Sequence, residues 1–597
     1  MSGAQRPAWW LQHSVVLAAG VVALIAFSAS GLGLRNDFAY DDVFIVRDNP
    51  AVNTLKPLPE YFNETYWGPA RGHAALYRPL AVWAYAVQWT LGGGSPLLYH
   101  AVNIALYVTA CVLLLLLLRC LAPAGAALVG ATIFAVHPVH VEAVANVVGQ
   151  AELWVACAVL GSTLLFVRAR LRGPVPWTTV VLIASIFGTS LFIKEHGIVL
   201  PALLAALEVL ALPATADRTA VAQRRTRLLL LILGLLAALY LLLRAHILGT
   251  VTGDEPFWGL RFLDTPQRLL VVLGLVPEMF RLMVWPAKLY ADYAPQQVAL
   301  LSAPAWGHLP GLLIVLALVG VAIAAWRRRL TLITLGVAWF AVTYLPVANI
   351  LFPVGVLIAE RTLFLPSVAV ACLAAWLANT AIRWPAPRRG LAVALTVSAV
   401  GLGLARSITR TPVWADNPTL FSVMAVESPT NFRAHFALAQ FNALGGRPTV
   451  ADTMFQRALA LYPEHVPARL AYGQVLQMQR QCGRALPLSE SAMRDDPESQ
   501  EAVVGTVICL LDLQRFEAAR SLALIGNASG WRERRLRDLR IVAESVLVAM
   551  DSADARNRFW RSGHTFQRTG LPLRVDVFRE PQVKPRSPES AQSASKP

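Results

Sequence analysis

Charge is what this chain has least of. Only 15% of its 597 residues are Asp, Glu, Lys or Arg, against 56% hydrophobic, and that balance excludes a soluble protein of ordinary composition. Cysteine is scarce as well, with six residues at 111, 120, 157, 372, 482 and 509. None forms a CxxC pair and four lie within or beside apolar runs, so neither a zinc site nor a disulfide framework follows. Cys482 and Cys509 could pair in an oxidising compartment or rest as two buried thiols in a helical repeat, the second being the plainer reading. Nothing resembles a glycine-rich nucleotide-binding loop. Lys and Arg outnumber Asp and Glu by 52 to 36, but the basic residues fall in short clusters between apolar segments. That is the pattern of membrane orientation, so no nucleic-acid partner is expected.

What is present is a succession of apolar segments. Candidate spans are 14–34, 99–118, 124–137, 150–167, 177–193, 197–212, 228–248, 309–326, 330–347, 363–382 and 390–406, about eleven in all. The first could also be a cleaved signal peptide, and either reading leaves residue 41 outside. The stretch 267–286 carries Glu278 and Arg281 in its middle and reads as an interfacial or re-entrant helix. With that stretch left out and a cytoplasmic N-terminus, the clusters at Arg119, Arg168 to Arg172, Arg224 to Arg227, Arg327 to Arg329 and Arg383 to Arg389 all fall inside, as the positive-inside rule requires. The loops with the most chemistry then share the outer face.

Beyond residue 410 polarity becomes ordinary. Pro429, Pro463 and Pro497 recur every 34 residues, as do Ala434, Ala468 and Ala502, which is the period of tetratricopeptide helix pairs. The expected organisation is therefore all-α: a polytopic membrane bundle over 1–410, a repeat α-solenoid over 411–550, and an extension over 551–597 that is largely disordered after 579.

The outer loops hold the candidate chemistry. Asn36 to Asp42 brings Asp41 and Asp42 to the membrane face after the first apolar run; taken alone, adjacent Asp residues read as a helix cap or a solvated loop. Lys194 and Glu195 sit at a turn between two apolar segments, where ionisable groups are costly unless they neutralise one another or serve function. His137 and His140, with Glu142, have the His-x-x-His spacing. Pro138 spoils a regular helix there, so substrate hydrogen bonding or a satisfied turn is preferred to metal ligation, and no metal site is assigned. Arg361 opens a further apolar segment and suits a phosphate through its planar donors, or else anchors a helix end.

Taken in order, Phe38-Ala39-Tyr40-Asp41-Asp42, Asn49-Pro50, Tyr77-Arg78-Pro79-Leu80, Tyr99-His100 with Asn103, His137 through Val144, Val148-Gly149, Lys194-Glu195-His196-Gly197 and Glu360-Arg361 with Leu365-Pro366-Ser367 resemble the transmembrane and tetratricopeptide-repeat O-mannosyltransferases. Trp414, Leu420-Phe421 and Pro429 resemble that family's junction into its repeats. Gln150 and Glu152 depart from the pattern, standing where Arg and Asp are expected. The resemblance implies a GT-C-type glycosyltransferase that moves a sugar, mannose in the family, from a polyprenyl or dolichyl phosphate to Ser or Thr of an extracytoplasmic protein. It assigns Asp41, then Asp42, as base, with Glu195 as supporting acid or ligand. Arg78, Lys194 and Arg361 are the donor-phosphate candidates, and His100, His137, His140 and Glu142 position substrate. No tightly bound cofactor is expected and metal dependence is left open. Expected partners are the lipid-phosphate sugar, membrane lipids and an acceptor protein held by the repeats. Expected location is a bacterial inner membrane with loops and repeats periplasmic, or the lumenal side of an ER membrane in a eukaryote. The competing classes are a transferase using another lipid-linked sugar on a glycan or lipid, and a non-enzymatic membrane scaffold or transporter.

Overall fold

The computed structural model describes residues 8–528 apart from 64–65, 68–75, 213–216, 218, 250–259, 261–262, 294–297, 299 and 497–498. The acidic pair at 254 and 255, Pro497 and the C-terminal extension therefore lie outside the described residues. Every regular element among the described residues is helical, and no strand occurs among them. By packing the chain divides into two units, Met1–Val423 and Met424–Pro597. The composition changes at 410, where the α-helical part of the last long apolar helix ends; the packing boundary falls later because Trp414, Leu420 and Phe421 are buried in the first unit.

Among the described residues of the first unit six helices are long and apolar enough to cross a membrane: Ser14–Arg35, Pro96–Leu121, Val147–Arg172, Ala220–Leu248, Trp306–Arg327 and Ala386–Trp414. A seventh candidate, Ala124–Ala135 with Pro138–Ala145, is bent by 49°. Pro138 supplies the break, because it has no N–H to give and its ring crowds the preceding turn. Trp177–Ile193, Thr331–Val347 and Val368–Ala381 are apolar but shorter. The expected span at 197–212 is helical from 195 to 211 but changes its winding: it opens tightly wound over Glu195–Val199, is α-helical over Leu200–Ala206 and widens over Leu207–Ala211. Thr265–Val284 is a 20-residue helix that is not among the six, closed at its start by a reciprocal cap between Asp264 and Gln267 at 2.8 and 3.1 Å, which satisfies two otherwise orphaned donors. The bend at Pro138 and the turn at Glu195 bring ionisable residues to helix ends. Those ends, with the loop after Arg35, are where the candidate site assembles.

The second unit shows the 34-residue period in its geometry. Helices begin at Phe432, Val466 and Gln500, and their partners at Pro448, Cys482 and Phe516. The first helix of each pair is capped at the same register: the side chains of Asn431, His465 and Ser499 accept the N–H of Ala434, Ala468 and Ala502 at 3.2, 3.1 and 3.3 Å. Those three alanines are buried, which explains why a small residue recurs there. The turn inside each pair carries a left-handed residue, again at equal intervals: Gly446 at φ 68°, Arg480 at 58° and Gln514 at 61°. Only the first of these is a residue that adopts this conformation without steric cost.

Candidate active site

The two carboxylates of the acidic loop sit in different environments. Asp42 is fully buried and accepts three backbone N–H groups, from Val148 at 2.9 Å, Val147 at 3.0 Å and Ala39 at 3.3 Å. Burial pushes its carboxyl up to about 7, against those three donors and with the neighbouring Asp41 charge adding to the rise. Its lone pairs are committed to holding the loop onto the 147–148 turn. Asp41 instead meets a cation: its Oδ2 lies 3.3 Å from an Arg361 guanidinium nitrogen, and its side chain keeps 10% of its exposure. Tyr40, just before it, has a left-handed backbone at φ 58°, which a non-glycine residue adopts only when its surroundings impose it.

Arg361 is itself oriented from behind. Glu142, at the bent-helix break, accepts the Arg361 backbone N–H at 2.8 Å through Oε2 and the guanidinium at 2.9 Å through Oε1. Burial alone would lower the Arg361 pKa, but the charges of Glu142 and Asp41 outweigh it, so the guanidinium stays charged. Glu360 next door accepts the Tyr290 N–H at 2.6 Å and the Tyr293 hydroxyl at 2.9 Å. Its burial pushes the carboxyl up to about 8.

A second group of ions is built around the Lys194-Glu195 turn. Arg78 binds Glu195 in a two-point fork, 3.0 Å from Nε to Oε2 and 2.6 Å from Nη2 to Oε1, and Arg244 lies 3.7 Å from the same carboxylate. Burial would raise Glu195, yet Arg78, Arg244 and Lys194 hold it well below the usual carboxylate range. Lys194 is ion-paired with Glu152, and His196 joins them, with Nδ1 3.5 Å from Glu152 and Nε2 2.7 Å from the Thr343 carbonyl. Burial depresses the Lys194 pKa and the Arg78 charge adds to the depression, while Glu152 and Glu195 oppose it. The two groups adjoin through Tyr66: Arg78 stacks 4.9 Å over its ring, and Arg78, Asp41 and Arg361 all bear on its buried hydroxyl.

The three histidines lie apart from these ions. His137 points Nε2 at the Met283 carbonyl, 3.1 Å away, and accepts the Val139 N–H with Nδ1. His140 bridges Ser367 at 2.7 Å and the Tyr107 hydroxyl at 3.2 Å, while His100 is buried with both ring nitrogens unpartnered. Among the described residues no group of three His, Cys, Asp or Glu is placed to hold a metal ion.

Sequence reasoning missed three features. Arg244 lies in a long apolar helix, where an ionisable residue is itself a signal. Tyr66 joins the two groups of ions. A buried amide chain backs the 147–148 turn: Gln88 and Gln150 exchange hydrogen bonds at 2.7 and 3.1 Å. Gln150 also gives one to Asn103 at 2.8 Å, and Asn103 reaches the carbonyls of Val144 and Asn146. Gln150 and Glu152, the two departures from the expected pattern, are thus both bound into the site's support.

No family model matches the chain. It is similar to protein O-mannosyl-transferase TMTC3 of Mus musculus, 26% identical over 393 residues, which is 60% of this chain and 42% of that protein. It is similar also to protein O-mannosyl-transferase TMTC4 of Homo sapiens, 27% over 499 residues, 74% of this chain and 65% of that protein. A third relative is protein O-mannosyl-transferase F38B6.6 of Caenorhabditis elegans, 26% over 444 residues, 72% and 61%. The chain spans between 42% and 65% of the length of these relatives. The likeness read from the ordered motifs is borne out: the relatives carry the TMTC-like family's names.

Proposed function

We propose, from this likeness to the TMTC-like O-mannosyl-transferases, that the chain is a membrane mannosyltransferase. It takes mannose from a polyprenyl- or dolichyl-phosphate donor and transfers it to a Ser or Thr hydroxyl of an extracytoplasmic protein, inverting the anomeric centre. The observation that carries the reading is the pairing of Asp41 with Arg361, itself clamped by Glu142. A hydroxyl needs a carboxylate to accept its proton as it attacks, while a departing phosphate diester needs cations more than a proton. In the proposed step the acceptor oxygen bonds to the anomeric carbon and its proton passes to a free Asp41 oxygen. The bond from that carbon to the phosphate oxygen breaks, and its electron pair leaves on the phosphate. One displacement inverts the centre.

We apportion the roles by environment. Asp42, saturated by backbone N–H groups, serves as the anchor of the loop and Asp41 as the base. Glu195, held anionic by Arg78, orients that guanidinium and does not donate a proton. Arg78 and Lys194 face the donor phosphate, and Arg361 balances charge beside the base. The amide and histidine groups shape the site, with no metal assigned a step.

The finer architecture belongs to the same proposal. Eleven crossings follow if the bent pair, the three shorter helices and the 197–212 segment each cross once. The paired helices after Met424 form a tetratricopeptide solenoid that holds the acceptor. The outer loops and repeats face the periplasm of a bacterial inner membrane. The test is incubation of purified protein with a panel of polyprenyl-phosphate sugars and candidate acceptors, scored by mass spectrometry. Mannose added to Ser or Thr supports the reading; transfer only of another sugar, only to a glycan or lipid, or no transfer from any donor overturns it.

A further inference from the structure

Asp41 is held between two anchors. On its C-terminal side Asp42 is fixed by the backbone of residues 147 and 148. On its N-terminal side the loop is gripped by the segment that follows the last apolar helix. The Asn36 side chain donates to the Thr411 carbonyl at 3.2 Å, the Asp37 N–H to the Ala415 carbonyl at 2.7 Å, and the Tyr40 N–H to the Asn417 side-chain oxygen at 2.6 Å. The Tyr40 ring meets Trp414 edge-on at 6.2 Å and Phe421 at 6.0 Å. Tyr40 is also the left-handed residue of the loop. A tyrosine in that conformation relaxes to a commoner one unless neighbouring contacts oppose it. Relaxation would turn the peptide that carries Asp41.

Asn417 is not needed where it stands for the helix it begins. The cap of Asn417–Glu427 is Asp416, whose side chain accepts the Thr419 N–H at 2.7 Å. The Asn417 oxygen is therefore spent on Tyr40, across 377 residues of chain.

We propose that Asn417 is a positioning residue for the transfer reaction: by accepting the Tyr40 N–H it keeps the loop wound so that Asp41 faces Arg361. It touches neither sugar nor phosphate and acts only through Tyr40. The inference rests on the transferase reading for its effect on turnover, while its effect on the loop can be read without any activity.

The experiment compares wild type, Asn417→Leu, which removes the acceptor at similar size, and Asn417→Asp, which keeps an accepting oxygen. Three quantities are measured in detergent: melting temperature, hydrogen exchange of the 36–42 segment, and transfer kinetics with the donor that wild type uses. The expected result is that Asn417→Leu melts within a few degrees of wild type, exchanges its 36–42 amides faster, and loses turnover by about 10- to 100-fold with donor KM unchanged at a temperature where both are folded. Asn417→Asp should restore both exchange protection and turnover. Unchanged exchange in Asn417→Leu, or a loss of turnover that follows a loss of stability and is not rescued by Asn417→Asp, overturns the proposal. If wild type transfers no sugar the transferase reading fails, and the exchange comparison still decides whether Asn417 holds the loop.

Discussion

The two adjacent aspartates should fail in opposite ways when each is converted to asparagine. Asp42 accepts three backbone N–H groups inside a site that water does not reach. An asparagine there has one accepting oxygen, and its amide nitrogen must face an N–H that the carboxylate had received. Oδ2 serves Ala39 and Val147, and Oδ1 serves Val148, so at best two of the three bonds survive. A lost charge-assisted hydrogen bond is worth about 1.5–3 kcal/mol and an unsatisfied buried donor about 1–3 kcal/mol. The buried charge is itself disfavoured, as the rise of the carboxyl to about 7 shows, and its removal offsets part of that loss, so Asp42→Asn should destabilise the first unit by about 1–3 kcal/mol. Asp41 makes a single 3.3 Å contact with a guanidinium that Glu142 also holds, and the asparagine amide oxygen can keep that contact, so Asp41→Asn should cost less stability than Asp42→Asn while removing the proposed base. The assay is paired: thermal unfolding in detergent, followed by intrinsic fluorescence, beside sugar transfer at a temperature where both variants are folded. Asp42→Asn melting with wild type while Asp41→Asn unfolds early would refute the division of roles.

Three further outcomes are expected. Asp42 and Glu360 are both raised in the folded state, to about 7 and about 8, so these two groups bind more protons folded than unfolded from about pH 4 up to those values, and the stability they contribute falls as pH rises through that range. The buried histidines titrate the opposite way below about pH 6.5, His465 falling to about 3, so the test is a difference: the stability of wild type relative to Glu360→Gln should fall between about pH 5 and pH 8, and a difference that grows with pH would contradict this. Replacing Arg480 or Gln514 by Gly should stabilise the second unit by about 0.5–1 kcal/mol, since each is a non-glycine residue in the left-handed region at the register where Gly446 stands, and chemical denaturation of the protein reads it. Truncation after Val423 should keep lipid-linked sugar binding and lose transfer to the native acceptor, whereas truncation after Arg410 should also loosen the acidic loop, because residues 411–421 grip it; equal donor binding and loop exchange in both truncations would count against it.

How much of this was visible in the sequence depends on the kind of contact. Asp41, Glu142, Lys194, Glu195 and Arg361 stand out because ionisable residues are rare and costly in so apolar a chain. Their pairing does not show, since Arg78 and Glu195 are 117 residues apart and Arg361 and Asp41 are 320 apart. Nor can two neighbouring aspartates be told apart when the partners that separate them are backbone N–H groups 105 residues downstream. The repeat period was legible because each helix pair packs on its sequence neighbours, so the same small residue recurs at the same register. His465 as a helix cap was not, because histidine is not among the usual capping residues. The long apolar helices could be read from length and composition, but the changes of winding along 197–212 leave hydropathy unchanged.

The most direct measurement is transfer of isotopically labelled mannose from a synthetic polyprenyl-phosphate donor to a Ser/Thr acceptor, comparing wild type with Asp41→Asn at matched stability. Loss of a general base costs about 100- to 10,000-fold. The account predicts labelled acceptor with wild type and a fall of that size in the variant, with donor affinity retained. Labelled acceptor formed at the wild-type rate by Asp41→Asn would contradict it.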